Sequence, residues 1–285
     1  MSHVHMKRLA IIGAIVVLSL VATALPFLPG RYDVLAVPLS MIARVYGTAS
    51  LLLVPIGLVW LPYELRFTSD GKRRGRVSLV LATLAAGSIA TVGAAGMAFN
   101  LSGAPLTVGV LTAYGLVLWR CGPGMLRWAR QSSGRDITVA LALILVPCVV
   151  TGAQFALARP LTSLAWRRTM DGLAPLIGDI ERYRTTNGHY PRSLFSEWMD
   201  YRPAVIGVRG YQYEISGDGF SLAVEVPTFS FDSREYLFYN PGEVQVMASH
   251  DADLLLRSAA ELPQYRGYHS TRRLDRPHWF LLSFD

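Results

Sequence analysis

The chain has 285 residues, 52% hydrophobic and 16% charged, with a formal net charge of +7. A soluble globular protein carries about a quarter charged residues, so the composition argues against an ordinary soluble enzyme. The charge is divided: residues 1–158 hold 13 Lys/Arg and 4 Asp/Glu (net +9), residues 159–285 hold 14 Arg and 16 Asp/Glu (net −2). The basic excess belongs to the apolar half, which argues against nucleic acid as a partner, because a nucleic-acid binder places it on a soluble domain.

Five apolar runs occur in the first half: Leu9–Leu28, Val37–Leu61, Val77–Leu101, Pro105–Trp119 and Ile137–Ala158. A helix crossing a hydrocarbon core of about 30 Å needs about 20 such residues. Four runs meet this; Pro105–Trp119 is shorter and reads as less tilted or partly re-entrant. Ser102-Gly103-Ala104-Pro105 predicts a tight turn between two antiparallel spans. The lipid bilayer is thus the first expected partner.

Basic residues mark one set of loops. Lys7 and Arg8 precede the first run, Arg66, Lys72, Arg73, Arg74 and Arg76 follow the second, and Arg120, Arg127, Arg130 and Arg135 follow the fourth. The alternate loops carry only Arg31. By the positive-inside rule the N-terminus is cytoplasmic, and after five spans the C-terminal half is extracytoplasmic; the expected location is a cell inner membrane, with a periplasmic C-terminal domain. The same basic residues in "DGKRRGR" also suit acidic lipid or a partner. A second reading of the first run is a signal peptide, with Ala22-Thr23-Ala24 as its cleavage site. That would leave four spans and the same external C-terminus.

The third run is crowded with Ala, Gly and Ser, which lets neighbouring helices approach closely. No Asp, Glu, Lys or His lies deep in a run, and Arg44 is placed to snorkel to the interface. The missing intramembrane carboxylate argues against an ion-coupled transporter.

The second half has a different pattern. Trp166, Met170, Leu173, Ile177 and Ile180 form one apolar helical face, which Pro160 and Pro175 are expected to kink or interrupt. Gly188 supplies a left-handed cap and Pro191 blocks continuation, so Gly188, Tyr190 and Pro191 read as a helix stop. Ser193-Leu194-Phe195 would open a helical turn. Residues 211–215 and 220–226 alternate around "SGDG" and predict a hairpin. Residues 235–239 and 244–247 around "NPGE" predict another, 251–262 a short helix, and 279–284 a last strand. The expected architecture is an all-α membrane domain, 1–158, of about five transmembrane helices, followed by an extracytoplasmic α+β domain, 159–285.

Within 166–226 the sequence resembles the globular heads of type II secretion pseudopilins and related type IV pilin-like proteins. The matching residues are Ile180, Tyr183, Gly188, Tyr190, Pro191, Ser193, Leu194, Tyr211, Tyr213, Asp218, Gly219, Phe220 and Leu222. The resemblance implies a long helix packed on an antiparallel sheet and a place near a secretion or pilus-like assembly. The processing glycine and Phe-Thr-Leu-x-Glu start of that family are missing, and four runs precede the matching one. Polymerisation as a pilin is therefore not expected.

Catalytic chemistry has little support. Cys121 and Cys148 have no Cys-x-x-Cys or Cys/His context, and the second half lacks cysteine, so it must fold without a disulfide. "HDAD", 250–253, offers metal ligands, but Asp251 equally fits a helix N-cap. His189 reads as a solvent-facing turn residue. No serine stands in a GxSxG or SxxK motif, and neither a P-loop nor a GxGxxG is present, so no catalytic, metal or cofactor residue is named. "NLS" at Asn100 abuts a span and is discounted as a glycosylation site. Tyr236, Tyr239, Tyr265, Tyr268 and Trp279 are a candidate partner surface, or else sheet core. The expected function is a non-enzymatic membrane protein whose head binds a protein or envelope component. The alternatives are an envelope enzyme with a site at the head–membrane junction, and a transporter. Nothing in the sequence specifies an oligomeric state.

Overall fold

A computed structural model describes residues 3–66, 69–131, 137–194, 204–216, 219–231, 233–242 and 269–284. Six α-helices come first: α1 (His3–Ala24), α2 (Ala36–Ser50), α3 (Leu53–Arg66), α4 (Ser69–Ser102), α5 (Ala104–Gln131) and α6 (Ile137–Asn187). Five strands follow: β1 (Gln212–Ser216), β2 (Gly219–Val226), β3 (Arg234–Tyr239), β4 (His269–Arg273) and β5 (Trp279–Phe284). The chain divides into two compact units. One holds residues 1–24 and 37–157, the other residues 25–36 and 158–285.

Among the described residues, five segments are long and apolar enough to cross a membrane, the second being α2 and α3 together. Large apolar side chains such as Leu18, Val92, Trp119 and Phe155 stand exposed on them, which suits an apolar surround. The expected run at 37–61 is two helices, separated at Leu51 and Leu52. The short run at 105–119 lies in a helix of 28 residues, because the arginines beyond Trp119 are good helix formers that end the apolar stretch without ending the helix. Gly103, at φ 72°, makes the turn between α4 and α5, and its amide donates to the Phe99 carbonyl at 2.9 Å.

Buried polar groups stitch these helices. Gln154 on α6 donates from Nε2 to the Thr23 hydroxyl and the Ala43 carbonyl, both at 3.1 Å. The Ser40 hydroxyl donates to the Thr23 carbonyl at 2.7 Å. Arg44 is buried rather than snorkelling, with its Nε donating to the Ser40 carbonyl at 3.4 Å. Arg76 is no loop charge. It lies within α4, buried, and grips Glu64 of α3 through Nε and Nη2, each at 2.6 Å from a carboxylate oxygen. The Trp60 indole donates to the same carboxylate at 3.1 Å, and the Arg76 guanidinium lies 5.7 Å from the Trp128 ring.

The second unit packs the C-terminal part of α6 on one face of a five-stranded antiparallel sheet, ordered β1-β2-β3-β5-β4. Leu173, Leu176 and Ile180 of the helix meet Phe220, Leu222, Val224, Leu237 and Leu281 of the sheet. Helix α6 runs through Pro160 and Pro175 without the interruption that was one of the two expected outcomes. A proline forfeits one helical hydrogen bond, and the buried apolar face outweighs that loss. Both flanks of β3 are taken, by β2 and β5, and the second arm of the hairpin expected with 235–239 lies outside the description. Residues 244–247 and 251–262 lie outside the described residues. Ser193 and Leu194 are not helical, and Phe195 lies outside the description.

Residues 25–36 are part of this unit. Phe27 is buried and stacks on Phe229 with ring centroids 4.8 Å apart. Pro29 bridges Val205, the Ile206 amide donates to the Leu28 carbonyl at 3.0 Å, and the Gly207 amide to the Pro26 carbonyl at 2.8 Å. A β-carbon on Gly207 would stand 2.6 Å from that carbonyl oxygen, so the close approach requires glycine there.

Candidate functional site

Helix α6 ends where the chain must reverse onto the sheet. Gly188 takes φ 76°, and its amide donates to the Arg184 carbonyl at 2.8 Å, closing the last turn. His189 stays exposed, with its Nδ1 2.9 Å from the Tyr190 carbonyl oxygen, and the chain then enters the core at Tyr190 and Pro191, both buried.

The Tyr190 ring packs on Phe220 at 5.0 Å between centroids. Tyr213 and Tyr239 reach the same phenylalanine at 5.9 and 5.8 Å, and Trp279 lies 5.2 Å beyond Tyr239. Phe220 is thus the hub of an aromatic cluster built from the helix exit, β1, β2, β3 and β5. The register explains it: Tyr213 opposes Leu222, which opposes Tyr239, which opposes Trp279, so all project from the helix-facing side.

Polar groups rim the cluster. The Tyr190 hydroxyl accepts from Arg184 Nη1 at 2.6 Å and donates to Glu181 at 3.2 Å. The Arg184 guanidinium also lies 4.6 Å from the Tyr190 ring centroid. The Tyr213 hydroxyl donates to the Pro191 carbonyl at 2.8 Å. Burial pushes the Tyr213 phenol well above the usual range, helped by Tyr190 and Glu181. Burial likewise raises Tyr239, again with Glu181 and Tyr190 adding to it. Burial and Glu181 raise Tyr190, against the opposing pull of Arg184. Three phenols that hold their protons serve as neutral hydrogen-bonding groups, not as nucleophiles or bases at ordinary pH.

The aromatic residues singled out from sequence do not form one surface. Trp279 is 5% exposed, inside the core. Tyr236 and Tyr239 point to opposite faces of β3: Tyr239 joins the helix-facing core, and Tyr236 packs with Phe238, Phe280 and Leu282 on the other side. Strand alternation makes this unavoidable for residues three apart. Tyr265 and Tyr268 lie outside the described residues, as do "HDAD" and its metal-ligand reading. Among the described residues no group of three or more His, Cys, Asp or Glu stands close enough to hold a metal ion. Glu181 and Arg184 were not singled out; only their spacing of three on the helix surface hinted at a shared target. No family model matches this chain, and neither a curated protein nor a solved structure matches it.

Proposed function

We propose that this chain is an integral membrane protein, with its N-terminus cytoplasmic and its α+β unit extracytoplasmic, and that the unit binds a protein or envelope component without catalysing a reaction. The observation that carries the reading is the aromatic cluster at the helix exit. Half-buried Tyr213 and Tyr239 pack with Tyr190 around Phe220, and the exposed Arg184 lies over the Tyr190 ring at the helix-to-sheet corner. Tyrosines and arginines held in place by packing are what protein interfaces favour, because little side-chain entropy is lost on binding.

The five apolar segments support the membrane part. A further constraint supports the sidedness. Residues 25–36 and 158–285 fold into one unit, so they share one side of a bilayer, and the chain between them must cross an even number of times. Four candidate spans lie between them. The pilin-like pattern through Gly188, Tyr190 and Pro191, with α6 packed on an antiparallel sheet, favours a secretion or pilus-like assembly as the setting of the partner.

Site-specific photo-crosslinking in the native envelope tests the proposal. A photoreactive residue at His189 or Arg192, both exposed, should yield discrete adducts that weaken in a Glu181→Ala background. Adducts that are absent from both positions would sink the partner-binding reading.

A further inference from the structure

A second polar cluster lies on the helix-facing side of the sheet, about 22 Å along α6 from Glu181. Glu235 projects from β3 in the same direction as Leu237 and Tyr239 and is half-buried. Thr228 hydrogen-bonds its carboxyl group, while its Oε2 is buried and has no hydrogen-bond partner. Two strands away Arg272 of β4 acts on the same carboxyl group and lays its guanidinium 5.3 Å from the Trp166 ring centroid. The Trp166 indole N–H is buried without a partner. One helical turn on, the Thr169 hydroxyl is also unpartnered, on a side chain 0% exposed. Leaving such a group unsatisfied costs stability, and native folds keep few of them.

The chemistry of three of these groups specifies a guest. Glu235 Oε2 needs an N–H or O–H donor. The Trp166 N–H needs an acceptor, and the Arg272 guanidinium over its ring makes an oxyanion the best one. A guest of single charge would face a like charge on one of the two ionisable residues. A polyol would meet the hydrogen bonds and forgo both ion pairs. We propose that Trp166, Glu235 and Arg272 form a binding site for a small zwitterion, an ammonium with an oxyanion a few bonds away, of the phosphoethanolamine class. Burial raises the Glu235 carboxyl, against the opposing pull of Arg272, and an arriving ammonium would favour its ionised form. The group has two sources, a free solute or a lipid headgroup. The site is independent of the aromatic cluster and of any protein bound there.

The test uses the full chain in phosphatidylcholine vesicles, whose quaternary ammonium has no N–H to offer Glu235. The readout is the difference in tryptophan emission between the native chain and Trp166→Phe. Added O-phosphoethanolamine should change this difference saturably, and O-phosphocholine should not. Glu235→Gln and Arg272→Gln should each weaken the response about tenfold or more, the equivalent of about 1.4 kcal/mol, with the thermal midpoint of the unliganded chain retained. In vesicles containing phosphatidylethanolamine, a headgroup source predicts that the change is already present and that the free compound adds little. A solute source predicts the full response there too. The site does not exist if neither form of the group changes the signal, if O-phosphocholine matches O-phosphoethanolamine, or if the response survives Glu235→Gln undiminished.

Discussion

At Gly188 a single dihedral angle decides whether the helix stops. A β-carbon there would meet nothing within 4 Å, so the cost of Gly188→Ala is conformational alone. It should destabilise the unit by roughly 1 kcal/mol. The neighbouring His189→Ala should stay within about 0.5 kcal/mol, as for other exposed positions. Chemical denaturation of the full chain in detergent, followed by circular dichroism, compares the two. The reverse order of effects would mean that His189 and not the turn holds the corner. Tyr213 gives a pH prediction of known sign. Its folded pKa is raised above the ordinary value of 10.0, so the folded state keeps a proton that the unfolded state releases. That contribution is complete below about pH 10 and is lost as pH rises further. Thermal midpoints should therefore fall more steeply above pH 10 for the native chain than for Tyr213→Phe, which has no phenol to titrate. Parallel curves would show that the phenol is not shielded in the fold.

The elements most legible in the sequence were those made by one dominant force. The apolar runs, the glycine stop at 188, the first hairpin and the last strand follow from local pattern alone, and β5 occupies 279–284. What sequence concealed depended on partners distant along the chain. The sheet order places β5 between β3 and β4, a choice made by packing and not by any local run. Strand β4, His269–Arg273, is polar and has no alternating pattern to reveal it. The aromatic cluster was half visible: Tyr190 drew attention through its motif, whereas Phe220 as hub is a fact of register. Arg76 misled because a charge beside an apolar run reads as a loop, yet Glu64, twelve residues earlier, was its mate. With both side chains 0% exposed, removing one leaves a buried charge without this ion pair. Glu64→Ala should cost about 3–5 kcal/mol, while replacing both with apolar residues of similar volume should cost far less. Thermal unfolding of the single and double variants decides this. Additive losses would show that the two side chains act separately.

For the molecule as a whole, the proposed topology, with an even number of crossings between the two parts of the α+β unit, is the reading most exposed to test. Reporter fusions after Arg74 and Arg130 should read cytoplasmic, and fusions after Ser102 and Asp285 extracytoplasmic. A cytoplasmic signal after Asp285 would overturn the proposed orientation. The inclusion of residues 25–36 also sets a schedule for synthesis. Phe27 leaves the ribosome early, but its stacking partner Phe229 comes 202 residues later. At about 5–20 residues per second, the first ring waits about 10–40 s for the second. Throughout that interval the apolar strap has no sheet to cover it. The core of this unit can close only after nearly the whole chain has been translated, and its earliest-made part is among the last to find its place.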